Sequence, residues 1–350
     1  MKKNFINLSM KLIKFFLSKI YLAIYSLWKL SYCLKILSTK KFNTKIISVG
    51  NISVGGTGKT PTIELISREL SKKNTSHCIV SRGYKKQQAG LTVVSNGKKI
   101  TSSIKEAGDE AYMLAKMLKK IPIIVGNKSS AISLAISRFK PELVLVDDGF
   151  QSLNIPRNYD IVLVDISVSF DNYRLLPLGR LREPLCSLKR ANSVIFTKSN
   201  HGAHDAQKTK QLILKNINES TPIYKSIVNG KIKKFCFDTD SFQSNNITIP
   251  DFFIGISGLA NNHLFKKMVL SKCSSKNIFL SYPDHHNYSN QDIERIKQEL
   301  KTHAGLAIIT TRKDFYKIYK KLKQYDLFIL DVEHKIDDIS SLIDKLNEHI

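Results

Sequence analysis

A glycine-rich segment that ends in a lysine and a threonine is the part of the sequence best suited to binding phosphate. It lies between a short apolar run, Ile46–Val49, and a predicted helix, Thr62–Leu70. Glycines let successive backbone N–H groups converge on an anion, and the N-terminus of the helix adds positive potential. The lysine can then reach the β- and γ-phosphates of ATP, and the threonine hydroxyl can ligate Mg²⁺. The residues expected to bind the nucleotide are Ser53, Val54, Gly55, Gly56, Thr57, Gly58, Lys59 and Thr60.

This segment departs from the pattern G-x-x-x-x-G-K-[ST] at its first position, which is Ser53. Gly55 and Gly56 partly compensate, since they supply flexible backbone within the loop. The alternative is an ordinary glycine-rich turn between a strand and a helix.

A second apolar run favours the phosphate loop over that alternative. Leu143–Asp147 reads as a buried strand, and it ends in two carboxylates, Asp147 and Asp148. In a parallel sheet, ligands bind at the carboxyl ends of the strands, so these side chains are expected beside the loop. Either carboxylate could there hold the Mg²⁺ that Thr60 also contacts.

The predicted strands and helices that position these residues share one sequence pattern over residues 41–220. Short apolar runs alternate with helical stretches, which predicts a parallel sheet covered on both faces and an α/β fold of the P-loop type. The predicted strands are Cys78–Ser81, Ile121–Val125, Ile161–Asp165 and Val194–Lys198, and the predicted helices include Glu110–Lys119 and Ser129–Phe139.

Residues 241–350 are expected to form a second, smaller α/β domain. Residues 221–240 are expected to link the two domains as a β-hairpin, because Asn229-Gly230 separates two strand-like runs. An Asn- and Ser-rich loop is expected near 241–248. The predicted strands of this domain are Phe252–Ile256, Ile278–Leu280, Leu306–Thr310 and Leu327–Asp331.

The amino-acid composition and net charge limit the kinds of partner that the chain is expected to bind. The chain of 350 residues carries a formal net charge of +26, from 45 Lys and 10 Arg against 29 acidic residues. Lys binds phosphate as a point charge, whereas base-specific contacts depend on Arg. Since no nucleic-acid-binding motif accompanies the charge, a nucleic-acid partner is disfavoured. Five scattered cysteines without CxxC spacing indicate reduced thiols. Nothing in the sequence points to an obligate protein partner.

The first 40 residues are predicted to form a helix that lies on an anionic membrane surface. Residues 1–45 contain ten lysines, and the first acidic residue of the chain is Glu64. The longest uncharged stretch, Ile20–Trp28, is far shorter than the ~20 apolar residues that span a bilayer. Lysines among aromatic and aliphatic residues are typical of interfacial helices. The alternative is a helix that packs on the protein core and exposes a solvated lysine face, as is common in soluble proteins.

Several motifs, taken together, make the chain resemble the tetraacyldisaccharide 4'-kinases. The resemblance covers most of the chain and includes segments that phosphate-loop proteins do not generally share. They are Val49–Pro61, Ser81–Tyr84, Gly108–Glu110, Val146–Gln151, Leu176–Pro184, Pro283–His286 and Thr310–Asp314.

The resemblance implies transfer of the ATP γ-phosphate, with Mg²⁺, to the 4'-hydroxyl of the lipid A precursor disaccharide. It also implies location at the cytoplasmic face of the bacterial inner membrane. Asp109 and His285 match the pair that activates the sugar hydroxyl, with Asp109 expected to accept the hydroxyl proton and His285 to orient it or tune its basicity. Arg182 matches a residue near the nucleotide and could stabilise charge on the transferring phosphoryl group. Asp109 could instead, or also, cap the helix that it opens, and Arg182 could form a simple surface ion pair. His285 could be only a polar turn residue, and His286 could replace it.

The sequence also departs from the family pattern. Ser152 replaces a usual His, Lys128 a usual Arg and Arg312 a usual Glu, and Leu259–Asn262 lacks the usual glycine and proline. Two other classes of protein remain to be weighed. A GTPase is suggested by Thr197–Asn200, although its last residue is Asn where guanine reading requires Asp. A non-enzymatic binder that uses charge alone would leave the phosphate loop unexplained.

Overall fold

The computed structural model describes residues 2–244, 247–250, 252–259, 261–273, 276–303 and 307–348. Within these residues, thirteen strands form a single mixed sheet with helices packed on it. The strands are β1 (Lys45–Asn51), β2 (His77–Ser81), β3 (Thr92–Asn96), β4 (Pro122–Val125), β5 (Leu143–Asp147), β6 (Tyr159–Asp165), β7 (Ser193–Thr197), β8 (Ile223–Cys236), β9 (Ser241–Gln243), β10 (Phe252–Gly258), β11 (Lys276–Tyr282), β12 (Ala307–Thr311) and β13 (Asp326–Ile336). The α-helices are α1 (Lys2–Cys33), α2 (Lys59–Lys72), α3 (Ile104–Ala107), α4 (Asp109–Met117), α5 (Lys128–Phe139), α6 (Ala206–Leu214), α7 (Asn262–Leu270), α8 (Asn290–Thr302), α9 (Arg312–Ile318) and α10 (Ile339–Glu348).

The first part of the sheet has the order β3-β4-β2-β5-β1-β6-β7-β8. All of its neighbours are parallel except β3 and β4, and β3 is a short edge strand that the sequence reading missed. Central β1 lies between β5 and β6, and its residues are almost fully buried, as expected for a strand covered on both faces. The carboxyl ends of β1 and β5 therefore adjoin, which brings the phosphate loop beside Asp147 and Asp148.

The second part continues the same sheet through β8, β13, β12, β10 and β11. The last four strands run parallel to one another, while β13 is antiparallel to β8. The strand predicted from Leu306 begins at Ala307, because Leu306 lies outside the described residues. β9 occupies the start of the loop expected near 241–248, and residues 245–246 of that loop also lie outside the description.

The predicted turn at Asn229-Gly230 is wrong. These two residues lie in the middle of the 14-residue strand β8, where they pair with Glu333 and Val332 of β13. Gly230 is needed for packing rather than for a turn, because a Cβ there would lie 2.8 Å from Met268 Cε and 2.9 Å from Leu330 Cδ1. The hairpin is formed instead by β8 and β9, around a turn at 237–240.

The packing of the core shows that the two parts of the sheet are not covered by two consecutive stretches of the chain. Side chains of α10 pack into the same buried cluster as β1 and α2, with Leu342, Ile343 and Leu346 at most 1% exposed. The C-terminal helix thus covers the first part of the sheet, although the sequence division assigned all of 241–350 to the second. A separate cluster, which includes Phe315 and Phe235, lies between α8, α9 and the second part of the sheet.

Helix α1 is 32 residues long, and most of its large apolar side chains between Met10 and Leu30 are exposed. The exposed ones are Met10, Leu12, Ile13, Phe15, Phe16, Leu17, Ile20, Ile24, Leu27 and Leu30. In contrast, the side chains of Ser18 and Tyr25 are buried against the rest of the protein. Among the described residues, no helix has the length and apolar character needed to cross a membrane.

Candidate active site

The phosphate loop connects β1 to α2 and lines a cavity of about 680 Å³. Gly55 and Gly58 have φ angles of 109° and 90°, a backbone region that favours glycine, and α2 begins directly afterwards at Lys59. Residues Gly55–Thr60 line the cavity together with Asp147 and His285. The cavity therefore offers a helix N-terminus, a lysine and a hydroxyl to an anionic ligand.

Ser53 and Val54 are placed differently from the prediction. Ser53 pairs with Leu181 through a β-bridge, and the backbone of Val54 binds Arg180 through both its N–H and its carbonyl oxygen. Neither residue belongs to the cavity lining. Of the eight predicted nucleotide-binding residues, the structure brings the last six, Gly55–Thr60, into the cavity.

Asp148 is held by positive charge. Its carboxylate accepts two hydrogen bonds from the Arg182 guanidinium, at 2.9 and 2.7 Å, and lies 3.7 Å from Lys59 Nζ. Burial alone would raise the pKa of Asp148, but Arg182 and Lys59 outweigh it and hold that pKa well below its usual range. Each of these oxygens keeps a second lone pair, so the role of Asp148 as a metal ligand stays a prediction. Arg182 in turn is tied to this carboxylate, so its predicted contact with the transferring phosphoryl group stays a prediction.

Unlike that of Asp148, the environment of Asp147 disfavours the ionised carboxylate. Ser81 Oγ donates to its Oδ2 at 2.9 Å, while its buried Oδ1 has no hydrogen-bond partner. Burial, together with the nearby Glu110 charge, raises the pKa of Asp147 to about 6. A buried oxygen without a partner is costly, and an incoming cation would relieve that cost.

The oxygen atoms around Asp147 are of the kind that binds Mg²⁺. Thr60 Oγ1 donates to Glu110 Oε2 at 2.7 Å, which places a hydroxyl and a second carboxylate near Asp147. No group of three or more His, Cys, Asp or Glu side chains within the described ranges is arranged to hold a metal alone. Mg²⁺ is usually bound by one or two carboxylates together with substrate phosphates, so Asp147 and Thr60 could hold it together with the phosphates of ATP.

Asp109 and His285 meet although 176 residues separate them in the sequence. Asp109 begins α4, and both of its oxygens lie within 2.9 Å of His285 Nδ1. Lys317 Nζ, from α9, is 2.9 Å from Asp109 Oδ2. Burial would raise the pKa of Asp109, but the His285 hydrogen bond and the Lys317 charge hold it well below its usual range. The predicted pair is thus present in the structure, while its catalytic role remains untested.

The imidazole of His285, not the Asp109 carboxylate, lines the cavity. An ionised carboxylate can only accept, so Nδ1 carries the proton and Nε2 of a neutral ring is free to accept one. Nε2 lies 3.7 Å from Glu110 Oε1. Glu110 therefore lies between His285 and Thr60 of the phosphate loop, with a hydrogen bond to Thr60 but none to the neutral imidazole.

His286 is engaged elsewhere. Its Nε2 lies 3.0 Å from Asp292 Oδ2, and its ring stacks on Tyr282 with centroids 4.6 Å apart. Of the two histidines that the sequence left open, His285 is the neighbour of Asp109, and its catalytic role stays a prediction.

The substituted positions of the family pattern serve structural contacts. Lys128 Nζ donates to the carbonyl oxygen of Asp148 and to Ser152 Oγ at 3.3 Å, so the two substituted residues contact each other. Arg312 binds Asp331 and lies over the Phe242 ring. The motif that suggested a GTPase is also used structurally, because Asn200 binds both backbone groups of Val228.

Sequence reasoning missed three residues of this site: Glu110, Lys317 and Lys198. Glu110 follows Asp109 directly, in the first turn of a helix whose N-terminus faces the loop, and that position was the available signal. Lys198 donates to the carbonyl oxygen of Gly56 at 2.7 Å and thereby supports the phosphate loop. Nothing in the local sequence around Lys317 indicates its contact with Asp109.

Comparison with known proteins finds relatives that match most of the chain. The family model described as Tetraacyldisaccharide-1-P 4'-kinase matches residues 10–350. A Tetraacyldisaccharide 4'-kinase from Halothermothrix orenii is 31% identical over 359 residues, covering 97% of this chain and 93% of the relative. One from Desulfotalea psychrophila is 33% identical over 304 residues, covering 86% of each chain. The crystal structure of LpxK from Aquifex aeolicus in complex with ATP matches with a TM-score of 0.75 at 28% identity, covering 95% of this chain and 97% of that one. The predicted fold class is confirmed.

Proposed function

This chain belongs to the tetraacyldisaccharide-1-P 4'-kinase family, and on that premise we propose that it transfers the γ-phosphate of ATP to the 4'-hydroxyl of the lipid A precursor disaccharide. The observation that carries the proposal is that one cavity is lined both by the phosphate loop and by a carboxylate-supported imidazole. A phosphate donor and a hydroxyl acceptor can therefore meet there.

The phosphate loop would hold the donor. Loop amides and Lys59 neutralise the phosphates, while Lys198, which also lines the cavity, holds the loop through the carbonyl oxygen of Gly56. Mg²⁺ held by Asp147 and Thr60 would supply further neutralisation of phosphate charge. Phosphoryl transfer depends mainly on such positioning and electrostatics.

The Asp109–His285 pair would activate the acceptor. The sugar hydroxyl gives its proton to His285 Nε2, its oxygen forms a bond to the γ-phosphorus, and the bond from that phosphorus to the β–γ bridging oxygen breaks to leave ADP. Asp109 keeps the ring oriented and stabilises the imidazolium that forms. The low pKa of Asp109 makes it a poor proton acceptor, so we assign the first proton transfer to the imidazole rather than to the carboxylate.

The location we propose is the cytoplasmic face of the bacterial inner membrane, with α1 on the anionic lipid surface. The support is the exposed apolar side chains of α1 and the exposed lysines among them, Lys11, Lys14 and Lys19. Such a helix binds through both apolar burial and attraction to anionic lipid.

A direct assay tests the function. Full-length protein incubated with labelled ATP, Mg²⁺ and the tetraacylated disaccharide 1-phosphate should yield a labelled lipid. Lys59→Ala and His285→Asn should each lower turnover at least ~100-fold, because each removes a charge stabiliser or a proton acceptor. His286→Asn is the matched control and should keep most activity.

Absence of labelled lipid with well-folded protein would reject the function. Near-normal turnover in Lys59→Ala or in His285→Asn would reject the role of that residue alone.

A further inference from the structure

Glu183 is a buried carboxylate that lies outside the cavity and has no part in the chemistry above. It is 1% exposed and lies between three donors. Gln151 Nε2 donates to its Oε1 at 2.7 Å, and Arg190 Nη2 donates to its Oε2 at 2.9 Å. The third donor is the hydroxyl of Tyr25 on α1, at 2.6 Å from Oε2. A buried carboxylate needs such partners, so removal of one of them is expected to shift its position.

Helix α1 docks on this region through hydroxyl groups rather than through its apolar side chains. Ser18, Tyr21 and Tyr25 share one face of the helix. Ser18 Oγ donates to the carbonyl oxygen of Leu175 at 3.2 Å, and Tyr21 OH donates to that of Arg182 at 2.7 Å. Specific hydrogen bonds to the residues beside the cavity are more than a lipid anchor requires.

The residues that contact α1 are connected to the phosphate loop by hydrogen bonds. Arg182 holds Asp148 with two hydrogen bonds and donates to the carbonyl oxygen of Asn51 at 2.9 Å. Gln151, which binds Glu183, donates to the same carbonyl oxygen at 2.9 Å. Asn51 Nδ2 then donates to Thr57 Oγ1 in the loop, at 2.7 Å. Two residues of α1 are therefore connected to the loop through a continuous set of hydrogen bonds.

We infer that Tyr21 and Tyr25 are positioning residues for the nucleotide site: they hold Arg182 and Glu183, which in turn fix Asp148 and the phosphate loop. The inference rests on the proposed nucleotide site. It gives α1 a second role beside lipid contact, since helix docking and nucleotide affinity become coupled. Coupling of this kind between sites is typically worth a factor of ~5 or more in affinity.

The test compares single hydroxyl deletions in the full-length chain. Tyr25→Phe keeps the ring, and we expect it to weaken Mg-ATP binding ~5-fold or more and to raise KM for ATP similarly. KM for the disaccharide lipid in mixed micelles should not change. Tyr21→Phe should act in the same direction. Tyr32→Phe is the matched control, because it removes a hydroxyl from the same helix where the ring packs edge-on against Trp28.

Two further variants separate the possible failures. Leu27→Ser, on the exposed face of α1, should weaken binding to anionic vesicles without changing Mg-ATP affinity. Equal changes of both KM values in Tyr25→Phe would indicate general destabilisation and overturn the inference. Unchanged Mg-ATP affinity in both Tyr25→Phe and Tyr21→Phe, with loss in Lys59→Ala, would overturn the positioning role and leave the nucleotide site standing. Unchanged affinity in Lys59→Ala as well would reject the site itself.

Discussion

At the scale of single residues, two adjacent carboxylates of one strand end have opposite electrostatic settings. Asp148 is stabilised as an anion by Arg182 and Lys59, whereas Asp147 is buried with one unpartnered oxygen and a pKa of about 6. An ionised Asp147 is therefore a cost to the metal-free fold. Above about pH 6 the folded protein carries this cost in full, and below the unfolded pKa near 4 the cost vanishes.

Asp147→Asn should consequently stabilise the protein while abolishing its activity. In EDTA at pH 7.5 we expect the free energy of unfolding to rise by ~1–3 kcal/mol, which corresponds to the raised pKa. The gain should shrink as the pH is lowered toward 5. Urea denaturation followed by circular dichroism measures it.

Asp148→Asn is the matched control and should have the opposite sign. Its carboxylate is favoured as an anion in the folded state, so its loss should destabilise the protein at pH 7.5. A destabilised Asp147→Asn, or equal effects of the two variants, would contradict the environments described here.

The site residues that could be predicted are those whose partners are near in sequence or follow from sheet geometry. Gly55–Thr60 and Asp147 are of this kind, because a parallel sheet aligns the carboxyl ends of β1 and β5. The meeting of Asp109 and His285 depends on the packing of two distant helices and loops, and only the family resemblance indicated it. The contact of Lys317 with Asp109 was indicated neither by sheet geometry or nearness in sequence nor by the family resemblance.

At the scale of elements, β8 shows how a local signal can be overridden. Asn-Gly is a strong turn signal, yet the backbone at Asn229 and Gly230 pairs with β13 along a continuous ladder. The glycine satisfies a packing requirement imposed by Met268 and Leu330, which are distant in sequence. Most strands and helices were otherwise predicted, because their apolar runs are long enough to be read locally.

Gly230→Val tests the packing explanation. The added side chain would overlap Met268 and Leu330, and overpacking of a core typically costs ~1–3 kcal/mol. We expect a lower midpoint of thermal unfolding. Gly90→Val is the comparison, since a Cβ at Gly90 meets no atom within 4 Å, although its φ of 80° adds backbone strain.

A double variant tests the same packing explanation without the backbone strain that Gly90→Val introduces. Met268→Ala combined with Gly230→Val should recover part of the lost stability, because it opens space at the contact. Failure of the second substitution to recover any stability would show that the crowding is not at Met268.

At the scale of the whole molecule, a net charge of +26 accompanies an apolar helix surface. We expect full-length protein to float with anionic vesicles at low salt and to dissociate progressively as salt rises, since each lysine near the surface contributes ~1 kcal/mol that salt screens. Phe16→Glu with Leu27→Glu should reduce flotation, because both side chains are exposed on α1.

Leu214→Glu with Leu270→Glu is the matched control for that experiment, because it adds the same two negative charges. Leu214 and Leu270 are also exposed apolar residues, but they lie on α6 and α7. Equal flotation of the α1 variant and this control would show that general charge, and not the helix, binds the lipid.

The long strand β8 has a consequence for how the chain can be divided. Its first residues pair with β7 and its later residues with β13, so one uninterrupted strand is shared by both parts of the sheet. A fragment that stops at residue 240 would keep β8 with its β13-facing edge bare, and bare edges promote self-association. The complementary fragment would lack the strand on which β13 is built. Each half is thus completed by the other, and synthesis of the last helix, α10, is needed before the first core is closed.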